Sequence, residues 1–185
     1  MELFLLSFGA LFSIMNPLGS VPVFVGLTGD YSKKERAATA FWTALDVLVI
    51  ILLSFFAGKF ILSFFGISLN ALKIAGGLII ASSGFALLTG KFREFKGMKR
   101  KRVQKDIQNR ESISLTPLAI PMLAGPGTIS LLISYNQEYQ STTDVLILVG
   151  SMVFVSLIIY LILKSSYLIV KALGASGQHW YWLLD

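Results

Sequence analysis

The sequence predicts an all-α polytopic membrane protein, an inverted-topology 3+3 helix repeat with a broken first helix in each half and a truncated last helix. Three observations carry this prediction: the composition, five long apolar stretches, and the confinement of all five prolines to two of them. Of the 185 residues 55% are hydrophobic and 14% are charged, whereas soluble domains are about a quarter charged. This composition disfavours a water-soluble enzyme.

Five apolar stretches are each long enough to cross a bilayer, which takes about 20 residues. The first differs from a signal peptide, because Glu2 stands where a basic leader would be and no cleavage signal follows. We therefore expect a retained helix there. Polar connectors separate the five stretches, which are Leu3–Thr28, Ala37–Phe65, Leu69–Gly90, Ser112–Ser134 and Val145–Leu163.

The positive charge is concentrated in one connector, residues 91–111. It holds nine basic and three acidic residues and so accounts for the whole formal net charge of +6. Because Lys and Arg favour the cytoplasmic side, we expect this loop inside the cell and the N-terminus outside. In that orientation 14 of the 16 basic residues lie inside, and only Lys59 and Lys73 lie outside.

Proline and glycine interrupt the first and fourth stretches near their middles. Pro17 and Pro22 lie in the first stretch, and Pro117, Pro121 and Pro126 lie in the fourth. A proline inside a helix removes a backbone donor and clashes with the carbonyl four residues back. At membrane depth unpaired backbone is tolerated where it is buried in protein or lines a wet cavity. Because paired broken helices point to transporter binding sites, we expect the two breaks to form a site.

The two interruptions are separated by 109 positions, from Pro17 to Pro126. The same offset places the second stretch over the fifth, and three spans per half require the second half to be inverted. The third span should recur at about 178–199, whereas the chain ends at Asp185, so we expect the last repeat to be incomplete. We expect a first repeat at residues 1–90 and a basic cytoplasmic loop at 91–111. Residues 112–185 are expected to form a second repeat of two spans with a short aromatic tail.

Two motifs form a specific pair: NPLGSVPVF at residues 16–24 and PLAIPMLAGPGTIS at 117–130. They resemble the MarC family of bacterial and archaeal inner-membrane proteins, and ISLNALKIAGG at 67–77 is similar to the third span of that family. The resemblance covers about Leu3 to Gly174. It implies a multi-pass protein of the prokaryotic inner membrane. Because some members are assigned as transporters of small neutral amino acids such as glycine and alanine, it also implies that activity.

The breaks contain the residues that we expect to bind a substrate. The N-terminus of a half-helix offers free N–H groups and a partial positive charge to a carboxylate. Released carbonyls can accept from an ammonium group, so paired breaks suit a zwitterion. Kinking for helix packing alone is the alternative. The expected substrate-binding residues are Asn16, Pro17, Gly19 and Ser20 in the first break and Gly125, Pro126, Gly127 and Thr128 in the second.

Asp46 is the only acidic residue deep in a span. It lies about 13–15 Å into the second stretch, counted from Ala37. A carboxylate at that depth costs about 2.5–3.5 kcal/mol by insertion scales, so its side chain should face protein or water. Asp46 is therefore a candidate for proton or ion coupling. The alternative is a protonated side chain that is hydrogen-bonded within a helix contact.

Small residues cluster in the third stretch. Such a face lets helix backbones approach closely, and helix packing explains it without a ligand. The residues are Gly76, Gly77, Ala81, Ser82, Ser83 and Gly84.

The sequence carries no signature of catalysis or metal binding. It has no cysteine, and its one histidine, His179, lies in an aromatic cluster typical of a membrane interface. It contains no HExxH, nucleophile elbow or P-loop. We therefore expect no catalytic residue, no metal, no cofactor and no enzymatic activity. The expected partners are the lipid bilayer and a small-molecule substrate and not a nucleic acid, with a homo-oligomer left open.

Together these features predict a secondary transporter of small neutral amino acids that works by alternating access. A passive small-solute channel is one alternative, because Asn16-Pro17-Leu18 is similar to the Asn-Pro-Ala elements of water channels. Those elements need Asn in both halves, and the second break has Gly125-Pro126 instead. A non-transporting membrane protein or a truncated fragment is the other alternative.

Overall fold

The computed structural model describes residues 1–88, 118–119 and 123–170 of the 185-residue chain. Within these residues the protein is all-helical and contains no strand. The basic loop at 91–111 and the aromatic tail with His179 lie outside the described residues. Six helices follow in order: α1 (Glu2–Met15), α2 (Pro17–Leu27), α3 (Lys33–Phe64), α4 (Leu69–Leu88), α5 (Pro126–Glu138) and α6 (Thr142–Lys164).

The first predicted break is present, and local chemistry explains it. Asn16 adopts a left-handed conformation, φ 44° and ψ 60°, and is at once the C-cap of α1 and the N-cap of α2. Asparagine tolerates this region better than most residues, and Pro17 suits the first position of α2 because its φ is already helical. The two helices meet at an angle of 41°.

Serine caps begin the two long helices. Ser32 and Glu35 form a capping box at the start of α3, each side chain bonding the backbone N–H of the other. At the start of α6, the Ser141 hydroxyl accepts a hydrogen bond from the backbone N–H of Asp144 at 3.1 Å. With 32 residues, α3 is about 48 Å long.

Two of the predicted spans are clear single helices. By length and apolar composition α3 and α6 can each cross a membrane, and the bent pair α1–α2 makes a third if it is one span. The α4 helix begins at Leu69 as predicted and is apolar over Leu69–Ser82. The α5 helix begins at Pro126, inside the fourth predicted stretch, and extends four residues beyond that stretch to Glu138.

Contacts between aromatic rings give the directions of the helices. Phe41, near the start of α3, packs edge-on against Tyr160, near the end of α6, with ring centroids 6.1 Å apart. Phe8 of α1 packs against Phe154 of α6 at 5.2 Å. The ends of α2 and α6 also meet, because the Tyr167 hydroxyl bonds the carbonyl of Thr28. Thus α3 and α6 are antiparallel, whereas α1 and α2 run parallel to α6.

The core lies where α6 packs between α3 and the α1–α2 pair. Buried serine and threonine hydroxyls here mostly bond to carbonyls of their own helix, as Ser151 does to Leu148 at 2.7 Å. Large apolar side chains cover the outside of α3, with Phe60 75% exposed, as expected of a surface that faces lipid. The fully buried apolar residues on α3 and α6 include Ala40, Val47, Ile51, Phe55, Leu148, Met152, Val155 and Ile159.

Candidate functional site

The two helix breaks lie against each other. A Cβ added to Gly127, the second residue of α5, would lie 3.6 Å from Cγ2 of Ile14, two residues before the Asn16 break. The chain therefore brings together two segments more than 100 residues apart in sequence, as the predicted paired breaks require.

At the first break, the side chains are used partly to close the backbone. The Asn16 Oδ1 atom accepts a hydrogen bond from the N–H of Gly19 at 3.2 Å. The buried Ser20 hydroxyl donates to the carbonyl of Pro17 at 2.6 Å. Asn16 and Gly19 are exposed, whereas Pro17 and Ser20 are buried. The exposed part of this break is thus the amide side chain of Asn16 beside Gly19.

At the second break, the helix start has no side-chain cap. Gly125 is the N-cap of α5 in an extended conformation, and Pro126 follows at the first helical position. The N–H groups of Gly127 and Thr128 find no acceptor within the described residues. The first donors of a helix carry partial positive charge. These two N–H groups are therefore available to an anion, although both residues are buried.

The backbone before α5 is also irregular. The N–H of Ala124 bonds to the carbonyl of Ala119 at 2.8 Å, a π-type turn that spans five residues. The Thr128 hydroxyl reaches back to the carbonyl of Leu123 at 3.4 Å. Single π turns often occur at functional sites. Both prolines that precede Pro126 in this stretch, Pro117 and Pro121, fall outside the described residues.

Residues on α4 close the second break. A Cβ at Gly127 would lie 2.7 Å from Cγ1 of Ile80, and a Cβ at Gly76 would lie 2.9 Å from Cβ of Ser130. The Ser130 hydroxyl also donates to the carbonyl of Leu72 on α4 at 3.2 Å. The start of α5 is therefore packed between α1 and α4, and Gly76 has the packing role that its small-residue face predicts. Gly77 and Gly84, from the same predicted face, meet open space.

Sequence reasoning missed three contributors to this site: Ile14, Ile80 and Ser130. Nothing in an apolar span distinguishes an isoleucine that covers a helix break from one that faces lipid. A signal existed for Ser130, because a serine one turn after a helix break is a candidate for an interhelical hydrogen bond.

Asp46 lies on α3 and is half-buried. The structure gives its carboxylate no hydrogen bond or ion pair within the described part of the chain. Among the described residues no group of three or more His, Cys, Asp or Glu side chains could hold a metal ion.

Comparison with known proteins decides the family. The family model described as "MarC family integral membrane protein" matches residues 1–180. This chain belongs to the MarC family. A UPF0056 membrane protein of Methanocaldococcus jannaschii is 38% identical over 96% of this chain and 85% of its own. A UPF0056 membrane protein of Buchnera aphidicola subsp. Schizaphis graminum is 35% identical, covering 92% and 78%.

An inner membrane protein MarC of Citrobacter koseri is 33% identical over 90% of this chain and 79% of its own. No solved structure matches the chain. This MarC-family chain is therefore an integral membrane protein with inner-membrane relatives. Gly127 of the second motif segment lies beside Ile14, two residues before the first motif segment.

Proposed function

We propose that this MarC-family protein is a secondary transporter of small neutral amino acids, acting as a carrier and not as an enzyme. The observation that carries the proposal is the closeness of the two helix breaks: a Cβ added at Gly127 would lie 3.6 Å from Cγ2 of Ile14, two residues before Asn16. Broken helices that meet inside a membrane protein are the usual construction of a transporter's substrate site.

The chemistry of the breaks suits a zwitterion. The free N–H groups of Gly127 and Thr128 at the start of α5 would bind the carboxylate. Pro17 has no N–H, so the carbonyl of Ser13, four residues earlier, lacks its helical donor and can accept from the ammonium group. Asn16 adds a side-chain amide beside this point. A small side chain fits, because Ile14 and Ile80 leave little room above Gly127.

Alternating access requires two arrangements of similar halves, and several features support an inverted 3+3 repeat. Pro17 and Pro126 each occupy the first turn of their helix, and they are 109 positions apart. Lys33 and Thr142, which begin α3 and α6, have the same separation, as do the capping residues Ser32 and Ser141. These equivalent long helices run antiparallel, which an inverted repeat demands. Rocking of one half against the other would expose the breaks to either side in turn.

Asp46 would couple transport to a proton or a cation. Its carboxylate is half-buried at mid-span and has no hydrogen bond or ion pair among the described residues, and ionisable groups inside membrane spans commonly mark ion or proton pathways. Coupling would then appear as a dependence of uptake on a pH or cation gradient. In D46N this dependence should disappear while substrate binding is kept.

The test is uptake of labelled glycine or alanine by proteoliposomes containing the full chain. We expect saturable uptake and exchange with unlabelled substrate inside. G127A should reduce uptake about tenfold or more, because its new Cβ meets Ile80 at the substrate-binding helix start. G150A is the matched control, since a Cβ at Gly150 meets nothing within 4 Å. If the native chain gives no saturable flux, with or without ion gradients, the proposal is wrong.

Other outcomes would assign a different class. Fast, non-saturable solute flux without exchange, seen as rapid swelling in a stopped-flow assay, would indicate a passive channel. If N16A and G127L impair folding, and neither they nor the native chain shows detectable flux, the protein is a non-transporting membrane protein.

A further inference from the structure

A polar cluster lies at one end of the helix bundle, where α2 ends, α3 begins and α6 ends. The Arg36 guanidinium lies over the Tyr167 ring, with Cζ 3.6 Å from the ring centroid. Tyr167 is itself held in place, because its hydroxyl donates to the carbonyl of Thr28 at 3.1 Å. The N–H of Tyr31 donates to the same carbonyl at 3.1 Å. Tyr31, Arg36 and Tyr167 therefore converge at the end of α2.

This cluster has donors without acceptors. The Nε atom of Arg36 is buried and has no hydrogen-bond partner among the described residues, and neither do the hydroxyls of Tyr31 and Ser166. Ser166 precedes Tyr167 in the helical residues 166–170 and is 0% exposed. Stacking on a ring stabilises a guanidinium through its face and leaves the N–H groups at its edge unbonded. Buried donors are normally satisfied, and the described residues supply no acceptor to these three groups.

The missing acceptor should be an anion. Lys33 and Lys164 lie at the same end of the bundle, and Lys164 Nζ lies 5.2 Å from the Tyr160 ring centroid. Of the nearby carboxylates, that of Glu35 bonds the N–H of Ser32 in the capping box at 2.9 Å. Asp30 is exposed. A planar guanidinium with its edge free matches two oxygens of one phosphate.

We propose that Tyr31, Arg36, Ser166 and Tyr167 form a phosphate site that binds the head group of an anionic phospholipid. This end of the bundle is the one that the positive-inside pattern places at the cytoplasmic face, where anionic head groups meet juxtamembrane basic residues. Bound phosphate would satisfy the free donors of Arg36 and Ser166. It would also tie the end of α2 to the start of α3 and the end of α6. The proposal is independent of what the protein transports.

The experiment measures thermal unfolding of the full chain in detergent as phosphatidylglycerol is added. Phosphatidylcholine is the neutral control lipid, and inorganic phosphate at equal phosphate concentration is the third arm. We expect a saturable rise in the midpoint with phosphatidylglycerol and none with phosphatidylcholine. An equal rise with inorganic phosphate would support the same phosphate chemistry but assign the site to free phosphate.

Two variants and one matched control make the result specific to this cluster. R36Q should weaken the apparent affinity about tenfold or more, as expected for losing a charged hydrogen bond. K34Q removes the same charge from an exposed position at the same end and should keep the native affinity. An equal loss in R36Q and K34Q would reduce the effect to general surface charge and overturn the proposal.

The S166A variant separates a loss of lipid binding from a folding defect, which could also lower the affinity of R36Q. The Ser166 hydroxyl has no partner among the described residues. Removing it should therefore leave the unfolding midpoint measured without lipid unchanged or slightly higher. It should nevertheless weaken phosphatidylglycerol binding about threefold. Native affinity in both S166A and R36Q would show that phosphate binds elsewhere.

Discussion

Three glycines decide how closely the helices approach. Gly58 of α3 lies against Cγ1 and Cδ1 of Ile133, Gly76 lies against Ser130, and Gly127 lies against Ile80. All three contacts involve α5, which therefore sits closer to its neighbours than larger residues would allow. Small residues at helix interfaces have this role in membrane proteins, since lipid supplies no hydrophobic drive for helix association.

The first prediction concerns Gly58, which no motif identifies. G58A should destabilise the protein by about 1–3 kcal/mol, because the added methyl group overlaps the Ile133 side chain in a packed interface. G150A, inside α6 and with nothing within 4 Å of the added Cβ, should be neutral or slightly stabilising. Thermal unfolding in detergent compares the two variants. Equal effects would mean that the α3–α5 contact at Gly58 is loose.

At the scale of the element, the bent pair α1–α2 is a helix that its own sequence divides. Pro17 cannot donate to the helix before it, and Asn16 both adopts the left-handed conformation and caps Gly19. The division is local, so it does not depend on the rest of the bundle. Local hydrogen bonds satisfy part of the two helix ends at this break, from the Gly19 N–H to Asn16 and from the Ser20 hydroxyl to the carbonyl of Pro17.

The second prediction separates the two roles of Asn16. N16G keeps the left-handed backbone but loses the cap, so it should cost only a few tenths of a kcal/mol. N16A loses the cap and also strains the backbone at φ 44°, so it should cost about 1–3 kcal/mol. The measurement is again the unfolding midpoint in detergent. If N16G is as unstable as N16A, the amide side chain and not the backbone conformation holds the break.

At the scale of the whole molecule, the α1–α2 pair packs on α6 and α5 packs on α3, while α3 and α6 pack on each other. Each broken segment thus rests on the long helix of the other part of the chain. Because α3 and α6 pack on each other, this arrangement holds the two breaks close together.

The third prediction is the orientation in the membrane. The chain has no cysteine, so single cysteines can be introduced without removing any. N70C and T143C should react with a membrane-impermeant maleimide in intact cells, whereas K34C and M98C should react only after lysis. Asn70, Thr143 and Lys34 are exposed in the structure. The reverse labelling pattern would place the basic loop outside and contradict the predicted topology.

Much of the fold follows from short segments read alone. The break at Asn16-Pro17, the start of α4 at Leu69 and the helical character of every described span were predictable, because caps, prolines and apolar length act locally. The start of α5 at Pro126 was predictable for the same reason. Gly58, Ile80 and Ile14 were not, since their importance depends on which helix lies opposite.

By itself, the sequence determined the membrane class, the interrupted first helix and the family. Each of these rests on composition, a proline or a motif that acts within one segment. Only the tertiary structure decided that the breaks touch, that Ile80 and Ile14 cover Gly127, and that Arg36 lies on Tyr167 beside unbonded donors. The reason is physical: an apolar helix in lipid has no solvent-facing side, so its periodicity does not indicate which face meets another helix.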